Sequence, residues 1–124
     1  MRIGYDFEKG EIIREEGKDH VRTEDEAIAI IMDDLGVADY RIDKNSDDYS
    51  TLVYKDRDLF RIKYTNQARW IKILMFPKFR SEYEDSELFK AQANKKQIFW
   101  KSDIKSLFDY KKVLTDMIIE IDNQ

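Results

Sequence analysis

Hydrophobic residues follow two rhythms along this chain. One has a period of three to four. Ala27, Ile28, Ile31, Met32 and Leu35 recur at that spacing, which describes one buried stripe of a helix. Thr23-Glu24-Asp25-Glu26 ahead of them has the form of a capping box. Its three acids suit the positive end of the helix dipole. Gly36 stands where a left-handed terminator belongs. The pattern predicts a helix over 24–35. Ile104, Leu107, Phe108, Leu114, Met117, Ile118 and Ile121 make the longest stripe of this kind and predict a second helix over 106–121.

The other rhythm has a period of two, which is that of a strand. Thr51 to Tyr54 is a run of good strand formers within 50–55. Over 59–64, Phe60, Ile62 and Tyr64 alternate with Arg61 and Lys63. Over 69–76, Ile71, Ile73 and Met75 alternate with Trp70, Lys72 and Leu74. Lys55-Asp56-Arg57-Asp58 and Thr65-Asn66-Gln67 are too short to connect anything but antiparallel neighbours. Over 97–101, Ile98 and Trp100 alternate with Phe99 and predict a fourth strand. Residues 41–48 read as a polar connector, and 79–94 as a loop with a short helix near 85–92. At the start, Ile3, Tyr5 and Phe7 suggest a strand, Lys9-Gly10 a turn, and 11–18 a short helix or an arm.

These elements predict an α+β fold. Its core is a four-stranded, mainly antiparallel sheet with two principal helices packed on one face, in the order α-β-β-β-(α)-β-α. At 124 residues the chain reads as one domain, 1–124, with 1–22 as an N-terminal strand or arm. No repeat, linker or low-complexity segment interrupts it.

Composition narrows the chemistry. The chain has no cysteine, which removes disulfides, thiolate metal sites and thiol nucleophiles and points to a reducing compartment. The start lacks an apolar stretch of signal-peptide length, and Ile71 to Pro77 is too short to span a bilayer. The expected setting is cytoplasmic, with no membrane partner. The net charge of −4 hides an asymmetry: residues 1–60 carry −8, residues 61–105 carry +6, and residues 106–124 carry −2. Either the basic stretch forms a binding face, or acidic and basic segments meet within the fold.

No catalytic apparatus stands out. His20 is the sole histidine, and no serine lies in a G-x-S-x-G context. Four glycines supply no phosphate-binding loop. Asp43-Lys44-Asn45-Ser46-Asp47 begins like a calcium loop. It then places Asp48 where glycine is needed and Tyr54 where a bidentate glutamate is needed. A two-carboxylate nuclease site would rest on Asp58 and Lys63, but Arg61 occupies the second acid's place. The expectation is a non-enzyme with no metal and no cofactor.

Two surfaces remain. Arg57, Arg61, Lys63, Arg69, Lys72, Lys95 and Lys96 interleave with Trp70, Trp100 and other aromatics, as do the neighbouring Lys78, Arg80, Lys90 and Lys101. Cations for phosphates and ring faces for bases are what a single-stranded nucleic-acid platform needs. Glu15, Glu16, Asp19, Asp33 and Asp34 belong to an acidic half suited to a basic protein partner. A chain without visible chemistry acts by contact, so a protein partner is the first expectation and a nucleic-acid-binding accessory the main alternative. A metal-dependent nuclease ranks a distant third. Trp70, Phe76 and Trp100 form either core or a homodimer patch.

Asp48-Tyr49, Arg61-Ile62-Lys63-Tyr64, Trp70-Ile71-Lys72-Ile73 and Ser106-Leu107-Phe108-Asp109-Tyr110-Lys111 carry a resemblance. Residues 48–121 resemble a small α+β module of uncharacterised bacterial and phage proteins, also found appended to restriction-endonuclease-like or defence-associated proteins. The resemblance implies an accessory or recognition role in phage–host conflict, and no catalytic residues here.

Overall fold

The computed structural model describes residues 3–6, 11–14 and 23–124 except 45, 91 and 93, with side chains from 24 onward. Strands β1 (Ile3–Asp6) and β2 (Glu11–Arg14) pair antiparallel, Ile3 opposite Arg14 and Asp6 opposite Glu11. The expected opening strand is present. The helix or arm expected over 11–18 is corrected to a strand at 11–14, where the β-branched pair Ile12-Ile13 favours extended backbone. The Lys9-Gly10 turn lies outside the described residues.

Helix α1 (Thr23–Leu35) buries Ala27, Ile28, Ile31 and Met32. It ends as its glycine requires. Gly36 takes φ +73°, its N–H donates to the Asp33 carbonyl, and the Val37 N–H donates to the Met32 carbonyl. That double closure is a Schellman motif.

The main sheet has five strands, all antiparallel, in the order β3-β4-β5-β6-β7. Its members are β3 (Arg41–Asp43), β4 (Ser50–Tyr54), β5 (Arg57–Tyr64), β6 (Arg69–Leu74) and β7 (Phe99–Asp103). The predicted four strands correspond to β4 to β7. The fifth, β3, falls in the expected polar connector: Ile42 pairs with Leu52, and Arg41 and Asp43 flank it. A strand of three residues with one apolar position leaves too little periodicity to read.

β4 and β5 meet at a two-residue turn, Lys55-Asp56, with φ of 48° and 63°. Positive φ at both positions matches the hairpin turn whose twist suits the sheet. Strand β5 therefore begins at Arg57, inside the turn expected from sequence. Leu52 faces Phe60 while Val53 faces Asp58, so Leu59 is the extra residue of a bulge. That is why consecutive Leu59 and Phe60 are both fully buried despite the two-residue period.

Helices α1 and α3 (Lys111–Asp122) pack on each other and on β5, with α1 also reaching β4. Together with Phe89, which packs on Trp100, they cover the face of the sheet that carries Leu52, Phe60, Ile62, Ile71, Ile73 and Trp100. The second helix starts five residues later than predicted. Ser106 Oγ accepts the Phe108 N–H in a local turn. Buried Tyr110 then places its hydroxyl 2.8 Å from Ser102 Oγ, which ties the turn to β7 before the helix begins. Phe108, expected in the buried stripe, is 48% exposed. The expected short helix near 85–92 is replaced by a four-residue helix α2 (Arg80–Tyr83) between two 3-10 turns, Pro77–Phe79 and Glu87–Phe89.

Polar ties fasten these layers. Lys112 donates to the Tyr83 hydroxyl (3.0 Å), which donates to Asp116, joining α2 to α3. Burial first and Asp116 second push the Tyr83 hydroxyl's pKa up. At the other end of α3, Lys55 Nζ and the Tyr54 hydroxyl reach Asp122 Oδ1 at 2.6 and 2.8 Å and hold that carboxyl below its ordinary pKa. A carboxyl that ionises more readily when folded adds stability at neutral pH, and this is lost as pH falls through its lowered pKa. Asp122→Asn should flatten the acid side of the stability–pH profile, followed by urea unfolding from neutral to acid pH.

The two tryptophans separate core from surface. Trp100 is fully buried against Phe89, ring centroids 5.5 Å apart, whereas Trp70 stays partly exposed on the opposite face. Trp100→Ala should cost about 3–5 kcal/mol. Trp70→Ala should cost about 1 kcal/mol. Urea midpoints of the two variants check the contrast.

Candidate functional site

Strand alternation sends every second side chain to the face that α1 and α3 leave uncovered. Register aligns those side chains across the sheet. Thr51 pairs with Arg61, Arg61 with Lys72, and Lys72 with Lys101. Three cations thus stand directly opposite one another on three adjacent strands. In the neighbouring row Lys63 pairs with Trp70 and Trp70 with Asp103.

Lys72 and Lys101 form the tighter couple. The Met75 N–H donates to the Ile98 carbonyl and the Ile104 N–H to the Arg69 carbonyl. These bonds fix the alternation of the β6–β7 ladder and make Lys72–Lys101 a non-hydrogen-bonded pair, whose side chains lie closest. Like charges so placed are destabilising.

Ring faces border the row. The Arg61 guanidinium lies 4.4 Å from the Phe99 ring centroid and 5.9 Å from that of Tyr49. Lys72 Nζ and Lys101 Nζ lie 5.3 and 6.0 Å from the Trp70 ring. Trp70 and Tyr49 are themselves 5.9 Å apart and tilted. Arg61 meets Asp58 at 3.7 Å and Lys63 donates to the Asp48 carbonyl. Among the described residues, no carboxylate lies within ion-pair distance of Lys72 or Lys101. At one end of the row a shallow depression of about 270 Å³ is lined by Arg61, Lys72, Gln97, Ile98 and Phe99.

Of the cations and aromatics singled out in the sequence, Arg61, Lys63, Trp70 and Lys72 come together here. Four others are elsewhere and a fifth is core. Arg57 donates to Gln124 Oε1 beside the end of α3 and stacks on Phe76. Arg69 has the opposite strand parity from Trp70 and stacks on Tyr64. Lys95 is held by the Phe89 carbonyl (2.7 Å) and lies over Trp100, and Lys96 sits in the turn before β7. Trp100 is sealed in the core and cannot reach a ligand.

Among the acids, Asp34 faces Lys111 at 3.9 Å and Asp33 is exposed. Glu15, Glu16 and Asp19 lie outside the described residues. Lys101 and Phe99, read in the sequence only as part of the wider basic and aromatic stretch, join the site, and so does Tyr49. The alternation of β7 and its register against Lys72 are the signals that identify the first two. Among the described residues no group of three or more His, Asp or Glu could hold a metal ion, and no helix is long and apolar enough to cross a membrane. Comparison of the chain with protein-family models, with curated proteins and with solved structures gave no match.

The like-charge row makes a prediction about the unliganded protein. Lys72→Glu replaces two repulsive cross-strand pairs by two attractive ones. It should raise stability by about 0.2–1 kcal/mol per pair. Added salt should narrow the gap between variant and parent. Urea unfolding at low and high salt measures both.

Proposed function

We propose that this protein binds single-stranded nucleic acid on the open face of its sheet and acts by recognition rather than catalysis. The observation that carries the reading is the row Arg61–Lys72–Lys101. A fold gains nothing by setting three cations opposite one another, so their placement calls for an anionic partner. Phosphates at successive nucleotides supply negative charge at comparable intervals. Tyr49, Trp70 and Phe99 beside the row offer the ring surface on which unpaired bases stack.

The geometry favours a single strand over a duplex. Among the described residues no helix or ribbon projects from this face to enter a groove. Stacking on half-exposed rings also requires bases that are not already paired. The acidic half has partners inside the molecule, Asp25 with Lys44 and Asp34 with Lys111, so it argues less strongly for a basic protein partner. An accessory role of this kind also suits the defence-associated module that residues 48–121 resemble.

Fluorescence anisotropy with short labelled single-stranded DNA and RNA tests the reading. Binding should be micromolar at low salt. The affinity should fall with salt at a log–log slope of about −2, since each neutralised phosphate of a single strand contributes about −0.7. Lys72→Ala combined with Lys101→Ala should weaken binding and bring the slope to about −0.7. No binding at low salt, or a slope unchanged in the double variant, would remove the proposal.

A further inference from the structure

We infer that the depression beside the cation row is a base-reading subsite with a preference for guanine. This rests on the proposed single-strand binding and adds to it a chemical selectivity.

The orientation of one side-chain amide is fixed by main chain. The Lys101 N–H can only donate, and it donates to Gln92 Oε1 at 2.7 Å. The other atom of that side chain is therefore the NH2 group. It donates to the Asn94 carbonyl at 2.6 Å and to Gln97 Oε1 at 2.8 Å. Gln97 thus has its carbonyl oxygen engaged, and its own NH2 is left to donate.

The lining of the depression follows. Of the side chains that line it, Arg61 and Lys72 carry only donors and Gln97 has its NH2 to donate. Main-chain groups supply little to balance them. The Gln97 carbonyl already accepts from Trp100 Nε1 at 3.0 Å, and the Ile98 carbonyl from the Met75 N–H at 2.7 Å. Ile98 is 63% exposed and Phe99 partly exposed, which adds an apolar wall.

A phosphate would satisfy the donors but has no use for that wall. A nucleobase uses both, provided it turns an edge of acceptors towards the donors. Guanine presents two adjacent acceptors, O6 and N7, on one edge. Adenine sets a donor beside N7, uracil and thymine separate their carbonyls with an N–H, and cytosine, whose O2 and N3 are adjacent acceptors, sets its N4 amino donor directly beside them, against the donors of the lining. An arginine fork is the commonest partner of the guanine edge. Stacked on Phe99, the Arg61 guanidinium is held ready for that role.

The test uses short labelled thymine oligonucleotides that carry one central G, A, C or T. The G oligonucleotide should bind on the order of tenfold tighter than the all-T one. Gln97→Glu keeps an oxygen for Gln92 but removes the free donor. It should abolish the preference for G, and the carboxylate it adds beside Arg61 and Lys72 should also weaken binding of the all-T oligonucleotide. Gln97→Ala removes the donor without adding charge and should abolish the preference while leaving the salt slope of the all-T oligonucleotide unchanged, and both variants should keep the parent's circular dichroism, because Gln97 is exposed. Equal, salt-sensitive binding of all four oligonucleotides would overturn the guanine subsite and leave the proposed function standing. A preference for G that survives both variants would also overturn it. Failure of every oligonucleotide to bind at low salt would overturn the subsite together with the function beneath it.

Discussion

The two-residue alternation of a sheet covered on one face is the constraint on which this molecule depends. α1 and α3, with Phe89 beside Trp100, cover one side of the five strands, and every strand must sort its side chains accordingly. Ile71 and Ile73 go inward, while Trp70 and Lys72 go outward. Leu52, Phe60 and Ile62 set the same parity on β4 and β5. A slip of one residue in β6 would bury Lys72 and expose both isoleucines, so the core enforces the register. The turn at Lys55-Asp56, the bulge at Leu59 and the Thr65–Ala68 closure pin that register along the sheet. The cation row is a consequence. Once hydrophobic burial fixes the alignment, Arg61, Lys72 and Lys101 have no other place to stand.

A row of like charges works against the fold that holds it. Cation–π contacts offset part of the strain: Arg61 rests on Phe99 and Tyr49, and Lys72 and Lys101 share Trp70. Other basic residues are treated differently. Lys78 meets Glu120 at 2.7 Å, Lys112 meets Glu82 and Asp116, and Lys55 meets Asp122. The sequence's charge asymmetry is therefore resolved internally at several points, while Lys72 and Lys101 in the row, like Arg57, Arg69, Lys95, Lys96 and Lys105 elsewhere, meet no carboxylate at ion-pair distance among the described residues. Exposed pairs of this sort contribute little individually.

What was legible in the sequence followed the strength of its periodicity. α1 with its Gly36 terminator and the meander β4 to β6 were readable, because each repeats its pattern over several residues. β3 was not, since Ile42 alone carries its signal. β7 was readable as a strand with Trp100 and Phe99 on opposite faces, but not for which face is buried. Phe99, Lys101 and Asp103 share one side, Trp100 and Ser102 the other, and a serine beside a tryptophan disguises the buried side. Only the contact between Ser102 and Tyr110, which lies across a turn, shows how that hydroxyl is satisfied inside. The start of α3 was misplaced for the same reason: a long-range tie, invisible to local pattern, holds Ser106 to Tyr110 out of the helix. Half of the site was legible by composition. The ladder itself was not, because cross-strand register is a property of pairs of segments.

Edge and face of β7 are coupled through one side chain. An outermost strand offers unpaired N–H and C=O groups to any incoming chain, and proteins blunt such edges. Here the Lys101 N–H is taken by Gln92, and the Asp103 carbonyl lies 3.4 Å from the Tyr110 hydroxyl. Strand addition at this edge would have to break those contacts. The same Gln92 amide that closes the edge also holds Gln97 Oε1 and sets which group Gln97 presents above the sheet. Closing the edge and orienting the donor are therefore one structural act. Loss of Gln92 would unblock the edge and release the Gln97 amide together.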